Sequence, residues 1–328
     1  MEKNKRIIGL DIIRVIAILF VLCVHFFLNT KYYKTEFNGI GMKLQYITRN
    51  IFMICVPLFI LLTGYLNNKK EYNKKFFKDL IIILIIWLFY SIIEYPITNM
   101  YKFTSIKDYI FQITNFKASR YSWYIEMYIG LYLLSPLINN GYDSLKQKDK
   151  NILLILSIIL FIAPGFINDL LKDIIHFPNW WYSIYPLGYY ITGKYISEVK
   201  PNYNKLLLIG IYILNQILIF IVMNKAKTEF ESLTIYISSV LIFLIFYNIE
   251  IKSKCISKII TTISILSLDI YLASGLTDKI IYTIFNNKLY LYNIPQSRCI
   301  LYAPLVIICS FILSMLYASI RRKIIRVR

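Results

Sequence analysis

The chain reads as an all-α polytopic integral membrane protein, a bundle of about ten transmembrane helices with both termini on the cytoplasmic side. Three observations predict this. First, 58% of its 328 residues are hydrophobic, where a soluble globular chain is nearer half, and the mean hydropathy is +0.57. Second, those residues come in long blocks rather than periodic stripes: "LIIILIIWLFYSII" (80–93), "ILLILSIILFIAPGFI" (152–167) and "LVIICSFILSMLYASI" (305–320). Runs near 20 residues with few charges match the hydrocarbon thickness of a bilayer. Third, the lysines and arginines fall between the blocks, with a sidedness.

In chain order the predicted spans are 7–28, 48–66, 76–98, 122–140, 151–167, 179–197, 205–223, 233–249, 259–279 and 300–320. The first is apolar but holds Asp11, Arg14 and His25. The third is the longest aliphatic run and closes on Glu94 and Pro96. The fourth is rich in tyrosine, and the sixth opens on Trp180 and Trp181. The ninth carries Asp269 near its middle, and the tenth is followed by the basic "RRKIIRVR". An even number of spans puts both termini on one side. With that side cytoplasmic, inside segments hold 22 lysines and arginines and outside segments 14, as the positive-inside rule requires. "KNKR" before an apolar stretch mimics a signal peptide. Asp11 and Arg14 interrupt the apolar region and no small-residue cleavage site follows, so the first helix is expected to stay. No loop is long enough to fold separately, so residues 1–328 are expected to form a single transmembrane domain with no fused extracytoplasmic domain.

The net charge of +19 is explained by these interhelical lysine clusters. No basic-aromatic module points to nucleic acid. The five cysteines are scattered without a CxxC pair, which supports neither a disulfide framework nor a metal site.

The first span, "GLDIIRVIAILFVLCVHFF" (9–27), asks why a membrane helix keeps three ionisable residues. At about 100° per residue, Arg14 and His25 differ by about 20° and share a face. Asp11 lies beside Arg14 on nearly the same face. Such a polar wall should face protein or a wet cavity. Arg14 and His25 are about 16 Å apart along the axis, so they would meet different parts of a long ligand, or different ligands. Two readings of Asp11 and Arg14 stand: a pair that settles the helix start, or a ligand site. His25 reads as functional, because a histidine titrates near neutrality and can act as a general base.

"LDIIRVIAILFVLCVHFF" resembles the first-helix signature of acyltransferase family 3, the integral-membrane O-acyltransferases, in which an arginine is followed by ten residues and a histidine. Arg14 and His25 fit that spacing. "VPLFILLTGYL" (56–66) is similar to a second block of the family, with Thr63 where serine is usual. "SWYIEMYIGLYLLSPLI" (122–138) is similar to an aromatic third block. "SLDIYLASG" (267–275) resembles a fourth but departs from it: Asp269 replaces a glycine, and Ser274 stands where the family often has histidine. The resemblance implies an O-acyltransferase that moves an acyl group, commonly acetyl from acetyl-CoA, onto a hydroxyl of a cell-surface carbohydrate or lipid-linked glycan. It implies acyl-CoA, the glycan acceptor and membrane lipid as partners, with other glycan-assembly proteins in attendance, and a bacterial plasma membrane location.

The residue chemistry suits that implication. A sugar hydroxyl is a poor nucleophile and needs a base, which His25 supplies. Arg14, oriented by Asp11, offers a forked cation for the phosphates of CoA, whose arm would lie along the helix wall toward His25. Glu94, Arg120 and Glu126, at the outer ends of the third and fourth spans, would orient His25 or hold the acceptor. As interface charges they would cost little either way. Trp123 and Tyr124 would stack on a sugar ring or join Trp180, Trp181 and Tyr182 in an aromatic belt. Pro57 with Gly64, and Pro186 with Gly188 and Gly193, are expected to kink helices and open space for substrate. Asp269 is expected to find a structural ion pair or hydrogen bond, and His176 to lie at the surface. Two rival readings are a transporter or flippase for a sugar, a glycolipid or an amino acid, and a structural partner in a glycan-assembly complex.

Overall fold

The computed structural model describes residues 6–98, 105–171, 174–222, 228–289 and 293–325. Eight of the basic residues counted for sidedness (Lys3, Lys5, Lys102, Lys172, Lys225, Lys227, Arg326 and Arg328) lie outside them. Among the described residues all regular structure is helical, as the apolar blocks predict. The α-helices are α1 Ile8–Asn29, α2 Gly39–Phe52, α3 Cys55–Leu66, α4 Lys74–Thr98, α5 Ile106–Thr114, α6 Trp123–Asp143, α7 Gln147–Phe161, α8 Ala163–Leu170, α9 Asn179–Ser183, α10 Tyr185–Val199, α11 Lys205–Val222, α12 Leu233–Phe246, α13 Lys254–Leu289 and α14 Ala303–Ile324.

Each of the ten predicted spans falls on helix. Seven described stretches are long and apolar enough to cross a membrane: Ile8–Lys34, Gly39–Leu66, Lys74–Thr98, Gln147–Leu170, Lys205–Val222, Lys254–Lys288 and Ala303–Ile324. The remaining predicted spans fall on α12, a shorter apolar helix, on α6, and on α9 with α10. Interruptions follow proline. Pro57, Pro164 and Pro186 each sit in the first turn of a new helix, where the missing N–H is one that would have no intrahelical partner anyway. The predicted spans 48–66, 151–167 and 179–197 are thereby divided.

Polarity is inverted relative to a soluble protein. Ile81, Ile85, Leu88 and Ile92 recur at helical spacing along α4 and are exposed, while Trp87, Tyr90, Ser91 and Glu94 on the same helix are buried. Asp11, His25, Asp269 and Asp278 are buried as well. Apolar residues outside and ionisable ones inside is the distribution a lipid solvent imposes.

The chain gathers into two compact units, each assembled from three stretches: Met1–Val24, Lys43–Lys69 and Leu137–Ser264 in the first, His25–Met42, Lys70–Pro136 and Ile265–Arg328 in the second. In the first unit, α3 and α10 meet through glycine. A Cβ on Gly64 would overlap the Tyr190 carbonyl, and one on Gly193 the Leu61 carbonyl. These glycines were expected to open space; they close it, because the carbonyls of Tyr190 and Leu61 can approach this tightly only where the facing residue has no side chain. Leu208 of α11 packs with Leu241 and Ile245 of α12. In the second unit, Phe76 and Leu80 of α4 pack on Tyr132 of α6, whose hydroxyl bonds the Phe76 carbonyl at 3.2 Å.

Candidate active site

The second unit contains a buried polar cluster around the end of α1. His25 is 5% exposed. Its Nδ1 lies 3.0 Å from Oδ2 of Asp278 on α13, whose side chain is 1% exposed. Tyr121 donates its phenol to the same Oδ2 at 3.1 Å, and Ser310 of α14 donates to Oδ1. The His25 ring stacks on Tyr121, with centroids 3.6 Å apart and planes 16° from parallel. Ser274 Oγ lies 3.4 Å from Nδ1 and donates to the Tyr271 carbonyl at 2.6 Å. His25 Nε2 has no hydrogen bond to any described residue.

Helix periodicity explains how these groups meet. His25 and Asn29 are four apart on α1, and Ser274 and Asp278 are four apart on α13, so each pair shares a face. Asn29 Nδ2 donates to the His25 carbonyl at 2.8 Å and to the Tyr121 hydroxyl at 3.2 Å. The turn before α6 carries Tyr121 and is tied down three times. Trp87 Nε1 donates to Ser122 Oγ at 2.9 Å, Tyr271 OH donates to the Tyr121 carbonyl at 2.6 Å, and the Arg120 N–H donates to Glu94 Oε1 at 3.0 Å. Burial, and then the Asp278 carboxylate, hold the Tyr121 phenol well above its ordinary range, so it remains a donor.

Glu94, 2% exposed, lies against the backbone of α13. A Cβ on Gly275 would overlap its carboxyl group. Glycine is required there to admit the carboxyl, one residue past Ser274. Its Oε2 is buried without a well-formed hydrogen bond, as is the Ser119 hydroxyl, which lies close enough to interact with it. Arg120 is exposed at the surface. Its guanidinium donates to Asn29 Oδ1 at 2.5 Å and stands over the Tyr121 ring, 5.3 Å from its centroid. Tyr124 is buried, and its ring meets Tyr271 edge-on at 5.4 Å. Thus His25, Glu94, Arg120 and Tyr124 come together. Trp123 and Glu126, three apart on α6, are exposed, and the Trp123 ring meets Tyr124 edge-on at 6.2 Å.

The first unit holds the other predicted residues. Asp11 is buried and takes a two-pronged pair from Arg6, with Nε to Oδ2 at 2.5 Å and Nη2 to Oδ1 at 2.8 Å. Ser264 Oγ donates to Oδ1 at 2.6 Å. Arg14 reaches Asp11 only at 3.5 Å, and donates to Ser264 Oγ at 3.0 Å. Asp11 was expected to orient Arg14; its principal partner is Arg6, whose fork matches a carboxylate. Asp269 finds the ion pair expected of it, with Arg321 Nε at 2.7 Å from Oδ1 and Arg322 Nε at 3.3 Å from Oδ2. His176 is exposed.

Sequence reasoning missed Asp278, Tyr121, Asn29, Ser310, Arg6 and Ser264. One signal was available: Asp278 is a second carboxylate in the same span as Asp269, on the same footing as an intramembrane ionisable residue. Hydroxyls and amides in a membrane helix are too common to single out. Among the described residues no three His, Cys, Asp or Glu side chains gather as a metal site.

No curated protein matches the chain, and no solved structure matches it. The family model described as the acyltransferase domain of acyltransferase family 3 matches residues 7–319. That match takes in all four motif blocks, the His25 cluster and Asp11, Arg14 and Ser264, and the chain belongs to acyltransferase family 3.

Proposed function

We propose that the protein is a membrane O-acyltransferase that moves an acyl group, acetyl from acetyl-CoA, onto a hydroxyl of a cell-surface carbohydrate or lipid-linked glycan in the bacterial plasma membrane. The observation that carries this reading is His25: a buried imidazole with Nδ1 engaged by a carboxylate and Nε2 without a hydrogen-bond partner among the described residues. In the reaction, Nε2 takes the proton of the acceptor hydroxyl as its oxygen attacks the thioester carbonyl. The C–S bond breaks, and the departing thiolate recovers the proton from the imidazolium. Alcohol and thioester become ester and thiol, with no net proton change. Arg14 holds phosphate of the donor, since a guanidinium matches phosphate geometry. Glu94 and Tyr124 belong to the acceptor side. Asp11 supports Arg14 directly at 3.5 Å and through Ser264, which bridges the two.

The test is transfer of label from radiolabelled acetyl-CoA to a membrane glycan fraction by the purified protein in lipid. The wild type should transfer label. His25→Ala should lose at least about 100-fold in rate while keeping its melting behaviour. Near-normal turnover in that variant would remove His25 as the base, and transport of glycan without any need for acyl-CoA would replace the reading. Both termini lie on the cytoplasmic side. Cysteines introduced near residues 3 and 325 should resist an impermeant reagent on intact cells, and labelling of either would break that topology.

A further inference from the structure

The hydrogen bonds around His25 have a fixed direction, set at the outer end by a group that cannot change role. An arginine only donates. Arg120 Nη1 therefore donates to the Asn29 carbonyl oxygen at 2.5 Å, which fixes which side of that amide is oxygen. The Asn29 amide nitrogen then donates to Tyr121 OH at 3.2 Å. The phenol, having accepted there, donates onward to Asp278 Oδ2 at 3.1 Å. Ser310 donates to the other carboxylate oxygen. Asp278 is thus met from two sides by donors, in the manner of an ionised carboxylate. The third group at the carboxylate is His25 Nδ1, 3.0 Å away.

Ser274 gives the same answer from another side. Its proton is committed to the Tyr271 carbonyl at 2.6 Å, so the oxygen it presents to Nδ1 at 3.4 Å can only accept. Both neighbours of Nδ1 are acceptors. Nδ1 must carry the hydrogen, and in the neutral ring Nε2 is then the bare nitrogen. We propose that Asp278, with its proton-donating partners Tyr121 and Ser310, is the positioning residue that locks His25 in the Nδ1–H tautomer and so makes Nε2 the base. The proposal rests on His25 being the base, and it assigns Arg120 and Asn29 to the outer end of the same directed chain. It also explains why Tyr121 stacks flat on the ring: the stack sets ring orientation while the carboxylate sets the tautomer.

The chain contains only two histidines, His25 and His176. Nitrogen-15 NMR of the full-length protein, labelled on histidine and reconstituted in lipid nanodiscs, would report both rings, and His176→Gln assigns the pair. In the resting wild type, His25 should show hydrogen on Nδ1 and a bare Nε2. A neutral ring with hydrogen on Nε2, or a doubly protonated ring, overturns the proposal without any assay of acyl transfer. Asp278→Asn can present an amide NH₂ to Nδ1, so the resonances should move to the Nε2–H form. Its kcat should fall about 10²- to 10⁴-fold, with KM for acetyl-CoA unchanged, the scale seen when a histidine base is left in the wrong tautomer. Unchanged tautomer and unchanged kcat in Asp278→Asn overturn it. Tyr121→Phe keeps the stack and removes one donor. It should keep the Nδ1–H form and lose about tenfold in kcat, and it carries the test if the asparagine variant does not fold. Should acyl transfer itself fail as the activity, the NMR result for the tautomer still stands or falls alone.

Discussion

Asp269 and Asp278 are the same residue type on the same helix, nine positions apart and so on opposite faces of α13. Both are buried within the second unit, yet their partners differ in kind. Asp269 is matched by cations: Arg321, itself 1% exposed, makes a two-pronged pair with it, and Arg322 reaches Oδ2. Tyr90 adds a hydrogen bond at 3.1 Å. Asp278 meets no lysine or arginine among the described residues; it is balanced by two hydroxyls and one imidazole. A carboxylate paired with permanent cations has one protonation state to serve, and reads as structure. A carboxylate whose partners are a phenol, a serine hydroxyl and an imidazole has no permanent counter-ion among the described residues, and reads as part of a site. Partner chemistry, rather than burial, separates the two.

The largest expected effect breaks the structural half of this comparison. Asp269→Ala leaves Arg321 buried without its counter-ion and should destabilise the protein by about 3–5 kcal/mol. Arg321→Ala should do the same by stranding Asp269. Replacing both, as Asp269→Leu with Arg321→Met, should recover most of the loss, because a buried pair and an apolar pair of similar volume are often close in stability. Thermal unfolding in detergent measures all three. If Asp269→Ala melts with the wild type, Asp269 is not the structural member, and the contrast with Asp278 collapses.

Gly275 lies between the two aspartates on α13 and gives the next effect. Any Cβ there would overlap the Glu94 carboxyl, which holds the Arg120 N–H and with it the turn that carries Tyr121. Gly275→Ala should cost about 1–3 kcal/mol of stability through overpacking and weaken acyl transfer by loosening Tyr121 from His25. Glu94→Gln keeps a carbonyl oxygen for the Arg120 N–H and should be the milder change in both readouts. If Gly275→Ala is silent in both melting and turnover, Glu94 is not wedged against α13, and its link to the His25 site is lost.

Much of this architecture is legible in the sequence for a physical reason: apolar length is a local property, so all ten apolar blocks were found as helix. The breaks at Pro57, Pro164 and Pro186 were only half legible, since proline can kink a helix or start one. Gly64 and Gly193 were misread, because a glycine in a membrane helix can open space or close it, and the partner backbone decides. The same limit governs the site. His25 and Arg14 stand out as intramembrane ionisable residues on one face of one helix. Asp278 and Tyr121 become significant only when α13 and the turn before α6 are folded against α1. Asp11 pairs with Arg14 as expected, at 3.5 Å, but that Arg6 makes the closer two-pronged pair depends on how the chain before α1 folds back.

The longer Arg14–Asp11 contact sets the smallest expected effect, in the first unit, where a third buried aspartate extends the comparison. Asp11 resembles Asp269 in having guanidinium partners, but here the cations are partly exposed: the Arg6 side chain is 47% exposed and that of Arg14 26%. With Arg6 and Ser264 still in place, Arg14→Ala leaves Asp11 satisfied, and it should cost no more than about 1 kcal/mol of stability. A purely structural Arg14 would show little else. As the donor's phosphate ligand it should instead show weakened binding of CoA, by roughly 5- to 150-fold for the loss of a hydrogen bond between charged groups worth about 1–3 kcal/mol. Arg14→Lys should fall on the same side, because an ammonium does not reproduce the planar fork. Asp11→Asn releases Arg6 and Arg14 without removing either, so its effect on CoA binding should be the slightest of the three. Titration of the purified protein with CoA in detergent measures each. Unchanged affinity in Arg14→Ala would make the Asp11 cluster a second Asp269, a site where a carboxylate and its arginines serve the fold alone.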